Sequence, residues 1–194
     1  MLARTRARLA GARVVTLFGE TTGETCRRVA AELLVHADED PAAPITLLVD
    51  SPGGDVFAGM IVHDVMQAIP APVRTVALGI AASMGQFLVT SGTPGLRLAM
   101  PHTRMLIHQP LSGLQGVAED IAIQSEQHIL TRRILFEAQA RHIGRPVAEI
   151  AADSDRDRWF TAEQAVAYGL VDAVAGSWRD YLPEPVARPG SGGQ

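Results

Sequence analysis

Ser83 sits in the segment Gly79-Ile80-Ala81-Ala82-Ser83-Met84-Gly85, among small residues, where a β-rich run gives way to a helical one. A serine hydroxyl is a weak nucleophile until a base takes its proton and donors receive the charge developing on the attacked carbonyl. Small neighbours let a substrate backbone come close, and the first N–H groups of a helix have no partner inside the helix. The pattern is close to the G-x-S-x-G elbow, with Ala81 at its first small position. The same spacing also fits a serine chosen only for packing. Gly53-Gly54, just after an apolar run, is a second candidate, because paired glycines can turn a backbone N–H outward. A plain strand-to-helix turn reads equally well there.

Six histidines compete for the role of base. His36, His63, His128 and His142 fall on predicted helices, where surface or satisfied core roles are the default, and His102 follows Pro101 in a loop. His108 ends an apolar strand, which is where α/β folds collect their sites. Asp153, Asp155 and Asp157 alternate with Arg156 and Arg158. Such runs are usually solvated or self-paired, yet one member could orient an imidazole, as a catalytic triad requires. Periodicity does not choose which.

The elements that must hold these residues alternate strand and helix, which predicts an α/β fold of stacked βα units. Strands are expected at 14–18, 45–49, 73–78, 96–100 and 105–107. The almost wholly apolar Ile45–Val49 implies a strand covered on both faces. Thr21 and Glu24 read as the capping box of a helix to about Ala37, with Cys26, Val29, Ala30, Leu33 and Ala37 on its inner face. Helices are also expected at 55–69, 83–91, 147–152 and, longest of all, 117–143, closed by Gly144 and Pro146. That last helix is too long for a compact domain of this size and is expected to project into a partner. Thr161 and Gln164 cap a final helix that ends at Gly169. A single domain is expected over 1–178, with a Pro- and Gly-rich tail, 179–194, expected to be disordered.

Composition narrows the chemistry further. With 47% hydrophobic residues the chain can form a core, and a net charge of −4 offers no basic stripe for nucleic acid. One cysteine, Cys26, excludes an internal disulfide and a Cys-rich zinc site. No HExxH, GxxxxGK[ST] or GxGxxG occurs, so neither metal nor nucleotide cofactor is expected. No apolar run reaches the roughly 18 residues of a membrane span. The basic stretch Met1–Gly19 is read as an ordinary helix rather than a transit peptide, which points to a cytoplasmic protein.

Five segments then stand in one order: Ser51-Pro52-Gly53-Gly54, Ala81-Ala82-Ser83-Met84-Gly85, Met105-Leu106-Ile107-His108-Gln109-Pro110, Asp153-Ser154-Asp155-Arg156-Asp157-Arg158 and Tyr168-Gly169-Leu170-Val171-Asp172. Together they resemble the proteolytic subunits of Clp protease, ClpP, over roughly Arg13 to Ala173. The resemblance implies Ser83 as nucleophile, His108 as general base, Asp157 as its orienting acid, and the N–H groups of Gly54 and Met84 as oxyanion hole. It also implies a ClpP/crotonase-like core with the long helix as a projecting handle, and two stacked heptameric rings around a proteolytic chamber. The implied partners are further copies or a paralogous ClpP subunit, an AAA+ unfoldase of the ClpX or ClpC kind, and unfolded protein substrates.

Three departures from the family pattern carry expectations. The axial pore loop that family members carry before the first helix is expected to be missing. Thr46 and Leu48 stand where many relatives place aromatic residues of the ATPase docking pocket, and Ser112 stands where a glycine is common. The alternative reading is therefore a subunit that depends on a mixed ClpP ring. An acyl-CoA enzyme of the crotonase type is a third reading, disfavoured because such enzymes need no Ser-His-Asp set.

Overall fold

The computed structural model describes residues 2–110, 113 and 115–181. A basic helix, α1 (Leu2–Gly11), leads into β1 (Val14–Phe18), α2 (Gly23–Glu39), β2 (Ile45–Ser51), α3 (Val56–Ala68), β3 (Val73–Ala82) and α4 (Met84–Thr90). Two short strands follow, β4 (Arg97–Ala99) and β5 (Arg104–Ile107), then α5 (Ala118–Ile143) and α6 (Val147–Asp153). β6 (Arg158–Phe160), α7 (Ala162–Tyr168) and β7 (Ala173–Val174) complete it, before a 3-10 turn at Trp178–Asp180. Among the described residues the sheet has seven strands, in the order β1-β2-β3-β4-β7, while β5 branches from β3 and pairs with β6. All pairings are parallel except β5 with β6. The mixed α/β architecture agrees with the expected fold class.

Alternation along the strands sorts the side chains. Val15, Leu17, Ile45, Leu47, Val49, Val73 and Ala77 enter the main core under α2, α3 and α4. Val14, Leu48 and Val76 face the other way, into a second cluster. Burial on both faces explains why β2 reads as one apolar run. The expected inner face of α2, Cys26 to Ala37, is buried throughout.

Three local expectations are corrected. The capping box of α2 is Thr22 with Thr25, not Thr21 with Glu24. Thr21 is committed elsewhere: its N–H donates to Gly53 O at 2.8 Å and its carbonyl accepts from Asp55 N at 2.8 Å. β3 does not stop at Leu78. Gly79, at φ +53, bends the strand without ending it, and the Asp50 carboxylate accepts the Ile80 N–H at 3.2 Å. The first half of β3 pairs with β4 and its second half with β5, so this bend delivers the strand end to the site. The end of the charged run, where no strand is expected, enters β6 at Arg158. Ser112 and residues 182–194 of the expected tail lie outside the described residues; Tyr181 packs on the second cluster.

α5 has 26 residues, a length of about 39 Å at ~1.5 Å per residue. Only Leu135, Phe136, Ala138, Gln139 and Ala140, near its C-terminal end, are buried. Ile123, Ile129 and Ile134 farther out are exposed, so the helix projects as the sequence suggested. Its end is anchored by Arg97, which donates to His142 O at 2.9 Å and to the Asp172 carboxylate. Burial pushes Asp172 up, but the Arg97 side-chain and backbone bonds outweigh it and hold the carboxyl below its ordinary range. No helix among the described residues is long and apolar enough to cross a membrane.

His63 on α3 and His142 on α5 meet with Nε2 to Nε2 at 3.2 Å, and the His63 Nδ1 lies 3.1 Å from Asp64. Burial, helped by His63, Arg141 and Arg97, pushes the His142 imidazole down to about 4. The folded value lies below the unfolded one, so the fold favours the neutral ring, and stability falls as pH drops from about 6.5 towards 4. His142→Gln should therefore flatten the pH dependence of thermal unfolding in that window. An unchanged slope would show that the pair contributes nothing to it. Arg97→Met should lower stability by about 3–5 kcal/mol in chemical denaturation, because it strands the Asp172 carboxylate.

Candidate active site

Ser83 does not belong to the helix expected to begin there. It stands between β3 and α4 at φ 54°, ψ −123°, a left-handed conformation that costs of order 1–3 kcal/mol for a residue with a Cβ. The surroundings over-determine it: Ser83 N–H donates to Leu106 O at 3.0 Å, and its carbonyl accepts from Phe87 N at 2.9 Å. The turn lifts the side chain off the sheet, and the N–H groups of Met84 and Gly85 open the next helix without an intrahelical acceptor.

The Gly53-Gly54 loop lies directly against this turn. A Cβ on Gly53 would meet Ser83 Cβ at 2.7 Å and Ala82 O at 2.8 Å, and one on Gly54 would meet Thr21 O at 2.6 Å. Both glycines have positive φ, 94° and 140°. The sequence Gly-Gly is thus required by close approach and by conformation together: Gly53 lies against Ser83 and the Met84 N–H, and Gly54 against Thr21.

His108 and Asp157 are brought together by strand register. In the antiparallel pair β5–β6, Met105 faces Phe160, Leu106 faces Trp159 and Ile107 faces Arg158. One more step along that register sets His108 opposite Asp157, and His108 Nδ1 lies 3.3 Å from Asp157 Oδ1. The ring is largely buried, whereas the carboxylate is open to solvent. The neighbouring acids have other partners. Asp153 accepts from Tyr168 Oη at 2.7 Å and pairs with Arg158, and Asp155 stands 3.9 Å from Arg156. Burial, then the Asp153 contact, pushes the Tyr168 phenol up from its ordinary value, so it stays a donor.

Ser83 and His108 share the lining of a cavity of ≈ 30 Å³ with Met84, Phe87, Pro110 and Leu135. A larger cavity of ≈ 480 Å³ opens beside it, between the start of α3 and the handle, bounded by Gly54, Val56, Phe57, Ile123 and His128. Of the residues singled out from the sequence, Ser83, Met84 and His108 line one cavity, Asp157 reaches His108 and Gly54 lines the neighbouring cavity, whereas His36 pairs with Glu39 and His63 with His142. The supporting residues were not foreseen. Gln109 N–H donates to Ser154 O at 2.7 Å, its amide donates to Asp155 O at 3.2 Å, and Arg132 of the handle donates to its Oε1 at 3.3 Å. Gln109 follows His108 directly, which was the one signal available for it. Among the described residues no group of three or more His, Cys, Asp or Glu side chains could hold a metal ion.

An α/β sheet carrying a strained serine at a strand-to-helix junction, with an imidazole and a carboxylate at the same edge, has the layout of a serine hydrolase. The chain belongs to the Clp protease family, whose model matches residues 2–177. It is 47% identical over 167 residues to the ATP-dependent Clp protease proteolytic subunit 2 of Nocardia farcinica, covering 86% of this chain and 82% of the relative. Subunit 2 of Thermobifida fusca is 47% identical over 174 residues, covering 90% and 86%. Subunit 1 of Mycobacterium tuberculosis is likewise 47% identical, over 167 residues covering 86% and 84%.

Gly53→Ala tests the loop. It should lower stability by about 2–4 kcal/mol through strain and overlap with Ser83, read as a drop in the thermal midpoint. A midpoint within a degree of the parent would mean that the loop relaxes freely.

Proposed function

We propose that the chain is a serine endopeptidase in which Ser83, His108 and Asp157 act as a triad, and that it works as the proteolytic subunit of an ATP-dependent Clp protease. The observation that carries this reading is the β5–β6 register, which puts Asp157 within 3.3 Å of the His108 ring that shares a cavity with Ser83. Ser83 Oγ attacks the scissile carbonyl while His108 accepts its proton. The N–H groups of Gly54 and Met84 take the charge on the tetrahedral oxygen. His108 passes the proton to the leaving amine, and water then releases the acyl group. Asp157 accepts the Nδ1–H of His108, so that the other ring nitrogen is left to serve as base. The larger cavity beside Gly54 receives a substrate side chain next to the scissile bond.

The exposed apolar side chains of the handle support assembly, since Ile123, Ile129 and Ile134 have no cover within one chain. Stacked heptameric rings enclose the sites, and an AAA+ unfoldase supplies unfolded chains. A second reading is a mixed ring with a paralogous subunit that makes the ATPase contact. Burial of Thr46 and Leu48 favours it, because those positions are not open on this chain. Native mass spectrometry of the chain alone and with a paralogue separates the two readings.

A fluorophosphonate probe should label the assembled protein at Ser83, and Ser83→Ala should abolish labelling. Absence of labelling in an assembled ring would overturn the proposal. Asp157→Asn should lower kcat for a small peptide substrate about 10²–10⁴-fold with little change in KM. A loss confined to KM would remove Asp157 from the orienting role.

A further inference from the structure

The helix α4 carries the proposed nucleophile at its start, yet little in its own sequence fixes its direction. It has seven residues, fewer than an isolated helix needs, and Ser83 supplies no side-chain cap. The N–H groups of its first turn are thereby left for chemistry, so its orientation must come from neighbouring elements. Two glutamines supply the hydrogen-bonded part of that support. Gln86, in the first turn, is 2% exposed, and Gln139, one turn before the end of α5, is 7% exposed. A primary amide buried this deeply needs partners at both its ends.

The partners form a chain with one direction. Thr90 Oγ1 donates to Leu170 O at 3.0 Å, so its lone pairs face Gln86, whose Nε2 donates to it at 2.7 Å. The Gln86 Oε1 is then turned toward Gln139, which donates to it from Nε2 at 3.3 Å. A flip of either amide would set two donors or two acceptors face to face. Gln139 is itself held, since Arg97 donates to the carbonyl of His142, one turn on, at 2.9 Å. Both amides also line the cavity of ≈ 30 Å³ that Ser83 and His108 share.

We propose that Gln139 is a positioning residue for peptide hydrolysis: through Gln86 it fixes the first turn of α4, and so the aim of the Met84 N–H at the tetrahedral oxygen. The inference rests on the proposed function of Ser83. An N–H aimed at developing charge acts in the transition state more than in substrate binding, so loss of the clamp lowers kcat and leaves KM.

In the assembled enzyme, Gln139→Met keeps the volume of the side chain and removes its donor. It should lower kcat for a small peptide about 10-fold or more, with KM within about twofold of the parent. Fluorophosphonate labelling of Ser83 should slow to the same degree. Gln86→Met should lower kcat at least as much, and the double variant no further than Gln86→Met alone, because both break one chain. A kcat equal to that of the parent, a loss confined to KM, or losses that multiply in the double variant would each overturn the positioning role. Where Gln139→Met fails to assemble, Gln139→Glu is read by the same criteria, since it has the same shape and turns only acceptors toward Gln86 Oε1. A parent that neither labels at Ser83 nor hydrolyses the peptide would overturn the proposed function and this role together. Failure of the clamp alone leaves the parent active and the Gln139 variants equal to it.

Discussion

The antiparallel pairing of β5 with β6 is the constraint on which the site depends. Six residues in register bring two distant segments together, and the next step of that register carries His108 to Asp157. A slip of one residue would turn Asp157 to the opposite face and present Arg158 or Arg156 instead. The pairing is therefore guarded at both ends. Met105 and Phe160 are buried at one end, and the Gln109–Ser154 backbone bond closes the other. Because β5 also pairs with the end of β3, the same short strand fixes the height of Ser83 relative to His108.

The strained turn at Ser83 is supported from the other side by contact between two backbones. Gly53 lies where any side chain would overlap Ser83, and Thr21 uses its own N–H and carbonyl to hold that loop in place. Strain at the proposed nucleophile is thus sustained by hydrogen bonds of a residue four elements earlier in the chain. The cap of α2 falls at Thr22, one residue beyond Thr21, whose N–H and carbonyl pair with Gly53 and Asp55. The handle is coupled to the same region through Arg132 and Gln109, so a shift of α5 reaches the loop next to His108 through one hydrogen bond.

Much of this was legible in the sequence. The strand-helix alternation, the double burial of β2, the inner face of α2, the capping box at Thr161 and the projecting length of α5 all follow from patterns within a few residues. Ser83, Gly53-Gly54 and His108 were recognisable as candidates because each stands at a strand end flanked by small or turn-forming residues. The choice of Asp157 among three aspartates was not legible in periodicity and came only with the family pattern. In the structure Asp153 is engaged by Tyr168 and Arg158, and Asp155 lies beside Arg156. Those partners are set by folding.

By itself, then, the chain order determined which residues could do chemistry and which elements would carry them, because helix and strand periods and turn chemistry are local. Tertiary structure decided which side chains meet: the register that pairs His108 with Asp157, the backbone approach that demands Gly53, the bend that extends β3, and the carbonyl of Tyr181 that satisfies Thr46. Each of these is a contact between residues far apart in sequence. It is settled by steric fit and by the need to pair buried polar groups, neither of which leaves a periodic trace along the chain.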